Sequence, residues 1–245
     1  MTKKIVYVAE LDMDIDDLIA VEYLEKEGLL DYVVLDPYPK TQAGIFRYNK
    51  LKNKGIILLS EFPEEAISNV FCGGQLTKIA THIKSGGSIE NLVLQGGFVG
   101  ANIVSANHQL PKFKNKIVKR TFNFNLDVNA TDFVFKTKKN EIANIYCVGK
   151  NVCHSSLNTE KGLWKDHKYI TLFKEYDVRP FKRQHDMLAC HEGIAMLKLK
   201  ENFNPFCSFK AVYPFHKGLN GINTVWGSSL TKTEYRHVIS AIEFR

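Results

Sequence analysis

Ile5-Val6-Tyr7-Val8-Ala9-Glu10-Leu11-Asp12-Met13-Asp14-Ile15-Asp16-Asp17-Leu18-Ile19-Ala20-Val21 passes from an unbroken apolar run, through five acidic residues, into a second apolar stretch. A short run rich in β-branched residues reads as a strand covered on both faces, and the residues after Asp17 read as the start of a covering helix. The step recurs along the chain. Apolar runs at 5–9, 32–35, 55–59, 68–71 and 92–94 read as strands, with helical patterns at 16–28 and 75–84. This alternation predicts an α/β open sheet, mostly parallel, with helices on both faces. Further strands are expected at 117–119, 142–148 and 209–212 and further helices at 126–136 and 185–199. The Gly- and Asn-rich stretches 84–91, 96–109 and 217–228 read as loops.

The acidic residues Glu10, Asp12, Asp14, Asp16 and Asp17 follow the first strand directly. Carboxylates crowded at the mouth of a buried strand repel one another and lose hydration, which is costly unless a cation or proton sits among them. Asp is also favoured at helix N-termini, where it offsets the macrodipole. Capping employs one or two carboxylates. The alternation at 10, 12, 14 and 16 lines one side of an extended segment and points to a hard divalent metal.

The 245 residues, 44% hydrophobic and 24% charged, have ordinary globular composition, and no linker or repeat divides them, so one domain over 1–245 is expected. No leader pattern or bilayer-length apolar run is evident, giving the expectation of a soluble, cytoplasmic protein with no membrane partner. The cysteines at 72, 147, 153, 190 and 207 lack paired spacing and read as reduced thiols. The net charge of +7 raises a nucleic-acid partner as a question. The densest basic stretch, Lys112, Lys114, Lys116, Lys119 and Arg120, carries no recognised nucleic-acid motif and reads as a solvated edge. Self-association into a homo-oligomer is left open.

In an open sheet, ligands bind beyond the carboxyl ends of the strands. Those ends carry Gly73-Gly74-Gln75 after 68–71, Gln95-Gly96-Gly97 after 92–94, and Thr121-Phe122-Asn123-Phe124-Asn125 after 117–119. His185-Asp186 precede an apolar helical stretch. Singly these read as turns and caps. Together they gather carboxylates, a carbonyl, amides and an imidazole, an inventory suited to a cation and a polyhydroxylated ligand.

These blocks resemble, in order along nearly the whole chain, those of the nucleoside hydrolases, metal-dependent N-ribohydrolases with a Rossmann-like sheet. Glu10-Leu11-Asp12-Met13-Asp14-Ile15-Asp16-Asp17 resembles that family's D-x-D-P-G-x-D-D. Gly73-Gly74-Gln75-Leu76-Thr77-Lys78 resembles T-G-P-L-T-N, and Gln95-Gly96-Gly97 resembles M-G-G. Thr121-Phe122-Asn123 followed by Asp127-Val128-Asn129-Ala130-Thr131 resembles E-F-N and D-P-E-A-A, and His185-Asp186 resembles the late H-D pair. The resemblance implies Ca2+ held by Asp12, Asp17, Asp186 and the carbonyl of Gly73. It implies ribose contacts from Asp16 and Asn123, with Asn125 as an alternative and Thr121 and Asn102 nearby. Asp12 would deprotonate a metal-bound water and His185 would protonate the departing base. The implied substrate is a nucleoside or related riboside, cleaved to base and ribose in nucleoside metabolism.

The departures are specific. Met13-Asp14 replaces Pro-Gly, Gln95 replaces Met, and Thr121 replaces the Glu that contacts the sugar in relatives. Asp36-Pro37-Tyr38-Pro39 offers no equivalent of a ribose-binding Asn. Two other enzyme-level readings compete: a catalytically idle riboside-binding relative, and a haloacid dehalogenase-type phosphohydrolase using Asp12-Met13-Asp14 as D-x-D. The second lacks a later G-D-x-x-x-D segment.

Overall fold

The computed structural model describes residues 4–150, apart from 14, 27, 99, 102–105, 107–108 and 117, together with the strand segments 207–210, 223–225 and 237–241. The first strand, β1 (Lys4–Ala9), alternates its side chains between two cores, as the pleat requires. Tyr7 and Ala9 pack with Leu18, Val21 and Leu24 of α1 (Asp16–Lys26) and Leu51 of α2 (Gln42–Asn53). Val6 and Val8 pack with Ile79 and Ile83 of α3 (Thr77–Lys84) and Val134 and Phe135 of α5 (Val128–Lys136). Helices therefore cover both faces, which is why β1 is apolar from Ile5 to Ala9. Each fully buried aliphatic side chain contributes about 1.5–3 kcal/mol.

The remaining strands are β2 (Tyr32–Leu35), β3 (Leu58–Leu59), β4 (Ile67–Cys72), β5 (Ile89–Gln95), β6 (Val118–Arg120), β7 (Ile142–Val148), β8 (Cys207–Lys210), β9 (Asn223–Val225) and β10 (His237–Ala241). The main sheet runs β3-β2-β1-β4-β5-β7-β10-β8, parallel except where β8 joins β10 antiparallel. The chain builds outward from β1 through β2 to β3, then returns to place β4 on the other side of β1. Strand order thus reverses between β1 and β4, the kind of switch point beside whose carboxyl ends open α/β sheets bind ligands. At the opposite end of the strands, Asn144 donates to Asn91 (3.0 Å) and Asn91 to Asn69 (3.2 Å), across residues paired in register. β6 and β9 form a separate antiparallel ribbon.

The expected α/β sheet is present, and several boundaries differ. The segment after β2 carries α2, for which the sequence shows no helical stripe. Its buried positions include Gly44 and Arg47, whereas Ile45 and Phe46 are exposed, so its polarity is locally inverted relative to an amphipathic helix. The helix expected at 126–136 is α5, capped where the Asp127 carboxylate accepts from the Ala130 amide (2.9 Å), and a separate short helix, α4 (Phe122–Leu126), precedes it. The stretch 84–91 already contains the start of β5, and the expected loop 217–228 contains β9. The expected helix 185–199 lies outside the described residues. Among the described residues no helix is long and apolar enough to cross a membrane.

Candidate functional site

Asp17 sits in the first turn of α1 and points back at β1. Its Oδ1 accepts from the Tyr7 hydroxyl (2.5 Å) and its Oδ2 from the Glu10 amide (2.6 Å), both buried. Burial, followed by the charge of Asp17, pushes the Tyr7 phenol far above its ordinary value, so it remains a donor to the carboxylate. Gly73 closes this corner from β4. A Cβ there would lie 1.7 Å from Asp17 Oδ1 and 2.4 Å from the Tyr7 oxygen, so only glycine lets that backbone lie against the acid.

Asn123, at the start of α4, joins the same corner. It is 9% exposed, and its Nδ2 donates to the Gly73 carbonyl (2.6 Å), the Gln95 carbonyl (3.1 Å) and Gln95 Oε1. The ends of β1, β4 and β5 and the head of α4 are thereby linked through Asp17, Gly73, Gln95 and Asn123. Asn125 turns away, donating to the Thr121 carbonyl (2.5 Å), while Thr121 is buried. Of the two amides offered by the sequence, Asn123 is the one at the strand ends.

Asp12 takes a different course. Its carboxylate accepts from the amides of Lys40 (3.0 Å) and Thr41 (2.9 Å) and from the Thr41 hydroxyl (2.8 Å), at the N-terminus of α2. Gly44 permits the approach, since a Cβ there would fall 2.0 Å from Asp12 Oδ1. Partial burial pushes the Asp12 carboxyl up, but the bonds from Thr41 and Lys40 and the charge of Arg47 outweigh it and hold the group below its ordinary value. Glu10 supports the loop by accepting from the amides of Asp12 (2.8 Å) and Met13 (3.0 Å). Asp16 accepts from the Asp17 amide (2.9 Å).

Sequence reasoning missed Tyr7, Arg47 and Asp36. A tyrosine inside a valine-rich strand was the available signal for the first, because a buried hydroxyl needs a partner. Arg47, 1% exposed, donates from Nη1 to the Leu11 carbonyl (2.6 Å) and ties α2 to the acidic loop. Asp36 accepts from Gln75 Nε2 (2.7 Å) and the Lys78 amide (2.7 Å), supplying the cap that Leu76 cannot give α3. Burial leads in raising the Asp36 carboxyl above its ordinary value. The expected site residues Asn102, His185 and Asp186, and Asp14 of the acidic loop, lie outside the described residues.

The donors suit a hard divalent cation chemically, because Asp12, Asp17 and the Gly73 carbonyl are all oxygen ligands. In position, Asp17 and Gly73 fit as neighbours, whereas the Asp12 carboxylate is engaged by α2. Among the described residues no group of three or more His, Cys, Asp or Glu side chains is arranged to hold a metal. Of the described thiols, Cys72 and Cys147 add no candidate, since burial raises both far above the reactive range.

No family model matches the chain. It is 32% identical over 171 residues to an uncharacterized protein of Aquifex aeolicus (strain VF5), an alignment covering 66% of this chain and 54% of that protein. The chain thus spans about half the length of the curated relative it matches. Among solved structures it is similar to an inosine-uridine preferring nucleoside hydrolase from Bacillus anthracis, with a TM-score of 0.49 and 14% identity over 97% of this chain and 93% of that one. A likeness of that degree assigns no activity.

Proposed function

We propose that the crevice between β1 and β4 hydrolyses the N-glycosidic bond of a ribonucleoside or related riboside with the help of a divalent cation, calcium by preference. One observation carries this reading. Four sequence blocks far apart in the chain, those holding Asp17, Gly73, Gln95 and Asn123, meet at the switch point of the sheet. They are blocks whose order resembles that of the nucleoside hydrolases.

In this reading Asp17 and the Gly73 carbonyl hold the cation, with Asp12 and Asp186 as further ligands. Bound there, it would supply an acidified water and an anchor for sugar hydroxyls. Asp12 would take up that water's proton, and its lowered pKa keeps the carboxyl ionised. Asp16 and Asn123 hold the ring hydroxyls as positive charge grows on the sugar. His185 protonates the leaving base. Engagement of Asp12 by α2 favours one alternative, a relative that binds ribosides without turnover.

The test is incubation with a panel of ribonucleosides, deoxyribonucleosides and phosphate monoesters, assayed for free base, reducing sugar and inorganic phosphate. Base and ribose are expected from the ribonucleosides. Binding without sugar release would establish the idle relative, and phosphate release would establish a phosphohydrolase.

A further inference from the structure

The Asn123 amide has one chemically fixed orientation. Three oxygens, the carbonyls of Gly73 and Gln95 and the Oε1 of Gln95, converge on its Nδ2. Exchanging the amide's oxygen and nitrogen would set oxygen against all three, so the nitrogen belongs there. Its Oδ1 is then the outward end. Among the described residues no donor meets that oxygen, although Asn123 is 9% exposed, and it is not sealed among the buried polar atoms that lack partners. A largely buried acceptor left open at the carboxyl ends of the strands calls for a donor from a ligand.

Resting on the riboside reading above, we infer that Gln95 is a positioning residue that holds Asn123 with its carbonyl oxygen presented, so that the site selects sugars able to donate a hydroxyl hydrogen. Gln95 is 8% exposed at the end of β5, and its side chain supplies an acceptor that the methionine of the M-G-G pattern it resembles would not. A sugar lacking the matching hydroxyl leaves Asn123 Oδ1 unpaired in a desolvated setting. Such a mismatch discriminates more strongly than a missing apolar contact does.

The experiment is an NMR titration, in the presence of calcium, with D-ribose, 2-deoxy-D-ribose and 3-deoxy-D-ribose, none of which has a glycosidic bond to break. Wild-type protein is compared with Gln95→Leu, which removes Oε1, and Gln95→Glu, which keeps an acceptor there. The wild type is expected to prefer ribose over one of the deoxy sugars by about tenfold or more, the scale of one neutral hydrogen bond. Gln95→Leu should erase most of that preference and Gln95→Glu should restore it. Parallel exchange measurements on the Asn123 side-chain amide should show protection in the wild type and faster exchange in Gln95→Leu. Undiminished discrimination by Gln95→Leu overturns the positioning role and leaves the riboside reading intact. Failure of the wild type to bind any of the sugars overturns both.

Discussion

Asp12 carries two demands on one carboxylate. It accepts from the amides of Lys40 and Thr41 just ahead of α2, whose own N-cap is Thr41, and it is the residue assigned to take a proton from water. Replacement by Asn separates the two duties, because an amide oxygen still accepts from those backbone amides while losing the basicity. Asp12→Asn should retain a melting temperature near that of the wild type and lose about a hundredfold or more in kcat. Asp12→Ala should in addition lose about 1 kcal/mol of stability in denaturant titrations. Full activity in Asp12→Asn would remove it from the role of base. The anchoring of Asp12 also has a pH signature. A carboxyl held below its ordinary value contributes stability that is complete above the normal aspartate range and lost as pH falls through the folded-state value. The acidic loop stood out in the sequence because five carboxylates after an apolar strand need an explanation. The direction each side chain takes did not, since Asp12 and Asp17 differ only in which backbone amides come near them.

At the scale of the element, α2 is held against the acidic loop from three sides. Asp12 meets its N-terminus, Arg47 reaches from its middle to the Leu11 carbonyl, and Glu22 of α1 pairs with Lys50 (3.2 Å) and Lys54 (2.9 Å) at its end. The Arg47 contact is the buried one, and it also leaves Nε without a partner. Arg47→Met is expected to cost about 1–3 kcal/mol, the scale of a hydrogen bond to a charged group, and to raise the Asp12 carboxyl toward its ordinary value. Denaturant unfolding and a carboxyl NMR titration measure the two effects, and an unchanged Asp12 titration would show that Arg47 does not act on it. This helix was illegible because the periodicity argument assumes apolar residues face inward, while here Arg47 is buried and Phe46 is 52% exposed.

For the whole molecule, the alternation of apolar runs and helical patterns carried most of the architecture, since strands covered on both faces cannot hide their composition. β1, β2, β4 and β7 lie close to where the apolar runs place them. The short strands β9 and β10 escaped, because three to five residues without a long apolar run give no period to read. The topology then did what no single motif does, gathering Asp17, Gly73, Gln95 and Asn123 beside the reversal of strand order between β1 and β4. The most direct test is the rate of reducing-sugar release from ribonucleosides by wild type and Asp17→Asn, each with chelator and after calcium is restored. Release by the wild type that stops with chelator, returns with calcium and is absent from folded Asp17→Asn is the expected result. Release at equal rates in all four conditions, or no release by calcium-loaded wild type, would contradict it.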